Sequence, residues 1–191
     1  MTQRSQINGL FSPYLQKSRF KKIIPYIKGN LLDIGCSTGE ILSYLSTNID
    51  YIGIEGNPIY FDNAQTLNPN HKFINLYLNN ENSKNLDIPK IDTILMLAIL
   101  EHLDKPLEVL KNLKNYLSEN SRIIITTPSS YSKYILKVGS ALKIFMNEMH
   151  EHKNHFSKKE LFSLSEKAGM KVFHHSRFEL GMNHLLILEI K

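Results

Sequence analysis

A chain of 191 residues with 42% apolar and 21% charged residues has the size and composition of one globular domain burying its own core, and it lacks the run of ~18 apolar residues that a membrane helix needs. Its single cysteine, Cys36, excludes an internal disulfide, and the stretch Met1 to Asn8 lacks the basic-then-apolar layout of a secretory leader, so a reducing, cytoplasmic setting is predicted. The net charge of +5 is spread along the chain, with Lys21-Lys22 and Lys158-Lys159 its densest pairs, which argues against a dedicated nucleic-acid surface.

Leu10, Phe11, Tyr14 and Leu15, then Phe20, Ile23, Ile24 and Ile27, recur at helical spacing with breaks at Pro13 and Pro25. They predict one or two helices in an N-terminal segment, 1–29. Asn30 to Gly35 is a short apolar strand stopped by glycine, and Glu40 to Leu45 resumes a helical pattern directly after the turn. Tyr51 to Ile54 is a second strand ending at Glu55, after which Pro58 is suited to open a helix, where its missing N–H is not needed. His71 to Leu76 predicts a third strand, Asn79 to Lys90 a polar loop, and Ile91 to Leu97 a fourth strand apolar enough to be covered on both faces.

Pro106 to Leu117 reads as a helix with Leu107, Leu110, Leu113 and Leu117 on one stripe, and Arg122 to Thr127 as a fifth strand. Ser157 to Ala168 carries a serine cap, Glu160 three residues on and Gly169 as its stop. Lys171 to Phe178 and Leu185 to Ile190 follow with no helical stretch between them, hence an antiparallel pair. The prediction is a single α/β domain over 1–191, Rossmann-like and doubly wound, with a seven-stranded sheet that is mostly parallel and ends in an antiparallel C-terminal hairpin. Residues 128–156 break the alternation. Their aromatics and methionines predict a helical insert acting as a substrate lid, most of those side chains packing on the core and some lining an acceptor pocket.

Open parallel sheets bind ligands beyond the carboxyl ends of their strands, where strand order reverses. There the chain reads Leu31-Leu-Asp-Ile-Gly-Cys-Ser-Thr-Gly-Glu40. Gly35 permits a tight turn, Gly39 lets the next segment start close to a ligand, and Asp33 can accept hydrogen bonds from a ligand ammonium or from the turn's amides. Ser37 stands where a dinucleotide loop needs its middle glycine, and no third glycine follows at the required spacing, which disfavours a dinucleotide. Glu55, about 20 residues after the turn, can take both hydroxyls of a ribose. Together these features predict a nucleoside site.

The segments 31–40, 51–58, 91–103, 123–128 and 168–172 resemble the successive motifs of class I S-adenosylmethionine-dependent methyltransferases, nearest the quinone-biosynthesis and small-molecule branch with its Leu-Glu-His-Leu-like turn at residues 100–103. The resemblance implies S-adenosylmethionine as cofactor, with Asp33, Gly35, Cys36 and Gly39 around its methionine moiety, Glu55 on the ribose, Tyr77 and Leu78 beside the adenine, and Leu97 beside the sulfonium. Tyr77 departs from the family's usual aspartate for the adenine amino group, unless Asn79 or Asn80 substitutes. Relatives that bind a divalent ion place an added glutamate where this chain has Ala98, and the spacing of His150, His152 and His155 fits no zinc pattern, so no metal is expected. His102, just past the fourth strand, is the candidate general base, against a purely structural role for the Glu101-His102 pair. The expected partner is a small-molecule methyl acceptor, methylated at oxygen. Two alternatives are a non-catalytic cofactor- or partner-binding module and an RNA or protein methyltransferase.

Overall fold

The computed structural model describes residues 12–46, 49–130 and 156–191. Its strands are β1 (Leu31–Ile34), β2 (Tyr51–Glu55), β3 (Lys72–Asn75), β4 (Ile91–Leu97), β5 (Leu117–Pro128), β6 (Met170–Phe178) and β7 (Asn183–Ile190). Four α-helices flank them among the described residues: α1 (Ser12–Ile23), α2 (Pro58–Leu67), α3 (Pro106–Lys114) and α4 (Lys158–Lys167). The strands form one sheet in the order β3-β2-β1-β4-β5-β7-β6, with parallel pairing from β3 to β5 and antiparallel pairing where β7 meets β5 and β6. This is the seven-stranded, doubly wound sheet that the residue pattern predicts.

The middle strands are buried because helices cover both faces, which is why β1 and most of β4 carry apolar residues at successive positions and not at alternate ones. On one face Leu32, Ile34, Ile94, Met96, Ile123 and Ile125 pack under α3 and α4 through Val109, Leu110, Leu113 and Leu161. On the other, Leu31, Leu95, Ile124 and Ile187 pack beneath Phe20 and Ile23 of α1 and Ala64 of α2. Local signals set the helix starts. The Asn57 side chain accepts from the Ile59 amide at 2.9 Å ahead of Pro58. The Ser157 hydroxyl accepts from the Glu160 amide at 3.3 Å, while Glu160 returns a bond to the Ser157 amide at 2.7 Å.

Several boundaries differ from the sequence pattern, each for a tertiary reason. Glu40–Tyr44 is a five-residue 3-10 segment, so the first turn is followed by a short tight coil and not by a full α-helix. Leu117 fits the helical stripe of α3, yet it pairs with Ile91 in the sheet, because the Tyr116 carbonyl accepts the Ile91 amide at 2.8 Å and draws the chain out of the helix. The predicted polar loop contains a 3-10 turn, Asn82–Lys84, whose backbone is held by the Asn79 side chain. β3 ends at Asn75, leaving Leu76 and Tyr77 beyond the strand.

The predicted features within residues 1–11 and 131–155, including the body of the insert and His150, His152 and His155, lie outside the described residues. Around them the chain is clasped: Ser129 and Phe156 form a parallel bridge, the Ser130 amide donates to the Phe156 carbonyl at 3.2 Å, and the Ser129 hydroxyl donates to the Gly181 carbonyl at 2.9 Å. The backbone therefore leaves and rejoins the sheet at one place, the carboxyl end of β5. Among the described residues no helix is long and apolar enough to cross a membrane.

Candidate functional site

Strand order reverses between β1 and β4, and the turn after β1 lies at that crevice. Two successive amides, Gly35 and Cys36, donate to the Ile54 carbonyl at 2.8 and 3.1 Å, folding the chain sharply over the end of β2. Gly35, Ser37 and Gly39 have φ of 72°, 52° and 76°, so alternate residues are left-handed. That conformation is cheap for glycine and costly for serine. Ser37 is held in it by its amide, which donates to Glu55 Oε2 at 2.9 Å. From the far side Asn68 Nδ2 donates to the Thr38 carbonyl at 3.0 Å.

Glu55 is the hub. Its Oε2 takes the Ser37 amide and its Oε1 takes the Asn57 amide at 2.8 Å, so one carboxylate joins the turn after β1 to the start of α2. An ionised carboxylate offers about four acceptor positions, and two remain in that count for a vicinal diol. The spacing that marked Glu55 in the sequence thus corresponds to an acid already aimed by backbone donors.

Asp33 lies beneath the turn, 4% exposed, and accepts from the Tyr51 hydroxyl at 3.0 Å. Burial raises its pKa to about 7, with the Tyr51 hydrogen bond opposing and the charges of Glu40 and Glu55 reinforcing the rise. No motif marks Tyr51, although strand alternation puts Tyr51, Gly53 and Glu55 on one face of β2. Cys36 is buried and packs with the core, and burial pushes its thiol well above the usual range, so it acts as a small apolar wedge and not as a nucleophile. Gly53 makes room for it: a Cβ there would stand 2.7 Å from both Cys36 Sγ and Phe73 Cδ1. The Gly53→Ala variant is expected to lose about 1–3 kcal/mol of stability, read as a lower urea midpoint. Adding Cys36→Ala should restore only part of it, because the Phe73 ring still blocks the site.

On the β4 side Leu97 ends the strand, half-buried and paired with Thr126. Ala98 then takes φ of 58°, left-handed for a non-glycine residue, and turns the chain over the crevice. Ile99 covers Gly35 so closely that a Cβ on the glycine would meet Ile99 Cδ1 at 2.1 Å. A 3-10 turn, Leu100–His102, follows. In it Glu101 is fully buried and its Oε2 accepts from the Thr127 hydroxyl at 2.9 Å, with burial raising its pKa, while His102 is exposed. The Glu101–Thr127 link crosses from the β4 turn to β5 and is invisible in local sequence. At the other end Tyr77 is exposed beside Gly56, and Leu78 is half-buried against the core. Asn79 Oδ1 is engaged by the amides of Glu81 and Asn82 at 2.8 and 3.0 Å.

This donor set suits a nucleoside bearing an amino acid. Glu55 offers acceptors for a ribose, the buried Asp33 offers one for an ammonium group, and the residues between them form a turn that places backbone close to a ligand. Residues 10–175 match the family model described as a methyltransferase domain. The chain belongs to this family, and it is an S-adenosylmethionine-dependent methyltransferase of class I. Among curated proteins it is similar to a ubiquinone biosynthesis O-methyltransferase of Aeromonas salmonicida, 23% identical over 169 residues covering 80% of this chain and 71% of the relative. The fold is shared with an S-adenosylmethionine-dependent methyltransferase of Clostridium acetobutylicum, at a TM-score of 0.69 and 13% identity over 93% of this chain and 92% of that one. It is shared equally with magnesium protoporphyrin IX methyltransferase of Synechocystis, solved with bound S-adenosylhomocysteine, at a TM-score of 0.69 and 13% identity over 98% of this chain and 90% of that one.

Proposed function

We propose that this protein methylates a hydroxyl oxygen of a small molecule, with His102 as the general base. The observation that carries the reading is the turn after β4, where Glu101 is drawn inward onto Thr127 while His102, the next residue, is exposed at the strand ends. The name of the Aeromonas salmonicida relative, an O-methyltransferase of ubiquinone biosynthesis, supports oxygen as the acceptor atom. When bound, S-adenosylmethionine supplies an electrophilic methyl group on a positively charged sulfur. The protein's part is mainly alignment and exclusion of water. Asp33 holds the ammonium end and Glu55 the ribose, while Leu97 and Ile99 give the centre of the crevice apolar walls. His102 would accept the hydroxyl proton of the acceptor on an imidazole nitrogen, and the methyl group would come from the bound S-adenosylmethionine. The acceptor enters on the β5 side, where the chain departs after Ser130 and returns at Phe156. A cytoplasmic setting belongs to the same reading, supported by the buried free thiol of Cys36.

The test is transfer of a radiolabelled methyl group to a panel of small phenols by wild type and His102→Ala. The variant should lose about a hundredfold in kcat/KM, while S-adenosylhomocysteine binds within twofold of wild type. Full activity in the variant removes His102 from the chemistry. Label found in RNA or protein, and none in small molecules, overturns the acceptor class.

A further inference from the structure

We propose that Tyr51 is a positioning residue for the cofactor: its hydroxyl governs the charge of Asp33, so that the ammonium group of S-adenosylmethionine binds with release of a proton to solvent. The inference rests on the assignment of Asp33 to that ammonium. An ammonium group offers donors only, so it needs Asp33 as a carboxylate. The surroundings of Asp33 favour the protonated acid instead. It is 4% exposed, its neighbours in register are Gly53 of β2 and Leu95 of β4, and strand alternation puts it on the face of Leu31, beneath α1 and α2. Among the described residues the charges acting on it are those of Glu40, just past the turn, and Glu55, both negative. Burial and these charges push its pKa up to about 7, and the Tyr51 hydrogen bond of 3.0 Å opposes the rise.

Tyr51 is placed to donate and to do nothing else. It is buried, and burial together with the Asp33 charge holds its hydroxyl well above the usual phenol range, so it keeps its proton. Its ring is fixed by Phe73, tilted at 5.7 Å, and by His71, edge-on at 5.6 Å. The Cys36 thiol next to it is held neutral by burial as well. A hydroxyl that donates and cannot ionise stabilises the carboxylate more than the acid. Asp33 is therefore about half ionised at neutral pH before the cofactor arrives, and an ammonium beside it completes the ionisation.

Linkage sets the sign and the size of the effect. While Asp33 holds a proton, each cofactor bound must displace it, so affinity rises with pH until the acid is ionised beforehand. From pH 6 to pH 8 the gain is about tenfold. Without the Tyr51 hydroxyl the carboxylate loses a hydrogen bond that favours it, and the rise moves to higher pH.

Isothermal titration of the full chain with S-adenosylhomocysteine, from pH 6 to pH 8.5 in buffers of different ionisation enthalpy, counts the protons. Wild type should release about 0.9 proton per ligand at pH 6, about 0.5 at pH 7 and about 0.1 at pH 8, while affinity rises about tenfold. Tyr51→Phe, which keeps the ring, should bind about tenfold more weakly than wild type at pH 6 and within about twofold of it at pH 8.5. Lost packing alone would weaken binding equally at every pH. Asp33→Asn should bind weakly and with no slope. The proposal is overturned if wild type releases no proton at pH 6, or if Tyr51→Phe shows the wild-type profile or an equal loss at every pH. It is overturned as well if the slope survives in Asp33→Asn, which would place the titrating group elsewhere. Should Asp33→Asn bind as tightly as wild type at pH 8, the assignment of Asp33 to the ammonium falls, and this inference with it.

Discussion

Asp33→Asn is expected to make the protein more stable at pH 8 and to disable its cofactor site. The wild-type carboxylate is buried with a pKa near 7, against 3.8 for an ordinary aspartate. A group whose folded pKa is the higher one binds more protons when folded, so its contribution favours the folded state below the unfolded pKa and is lost as pH rises. Between about pH 4 and pH 7 wild type should lose on the order of 4 kcal/mol from this residue alone, and no more above that. Asparagine has no charge to desolvate, so the variant should unfold at a similar temperature to wild type near pH 4 and about 8–16 °C higher at pH 8. Binding of S-adenosylhomocysteine should weaken thirtyfold or more, the cost of removing one partner from a charge pair in a dry site. Thermal unfolding across pH together with titration calorimetry reads both quantities, and equal stability at pH 8 would contradict a buried, strained carboxylate.

Glu55→Ala should fail in both respects at once. The carboxylate accepts two backbone amides, one of them from the left-handed Ser37. Removing it leaves those donors without their acceptors and the turn without its anchor, at about 2–4 kcal/mol. The unfolding temperature should fall by about 10 °C, and affinity for S-adenosylhomocysteine should drop at least a hundredfold. Glu55→Gln should recover part of the stability, because its remaining oxygen keeps one amide while its NH2 group faces the other donor. It should not recover the affinity. Wild-type binding by the glutamine variant would show that the ribose is held elsewhere.

These two acids were legible in the sequence for different reasons. Glu55 stands out because a strand, a glycine turn and about twenty residues of chain place it at a known distance from Asp33, and a doubly wound sheet leaves little freedom in where that distance leads. The strand order was legible in the same way, from alternation of strands and helices and from the final pair with no helix between them. Three features were not. Leu117 satisfies a helical stripe as well as a strand, and only the Ile91–Tyr116 hydrogen bond decides between them. The contact of Glu101 with Thr127 joins residues 26 apart in sequence through the packing of the β4 turn on β5. Tyr77 is marked by the resemblance, but its close approach to Gly56 at the end of the neighbouring strand β2 is a tertiary contact that local sequence does not show. Tyr51 is an intermediate case, since the period-2 pattern of β2 already put its side chain on the face of Glu55.

The clasp at Ser129, Ser130 and Phe156 is made by backbone groups together with the Ser129 hydroxyl. A junction tied through main chain asks little of the side chains around it, so the two ends stay side by side at the carboxyl end of β5 through changes of sequence that would undo a packed seam. Asp33 and Glu55 lie on β1 and β2, on the other side of β4, and are held by bonds of their own.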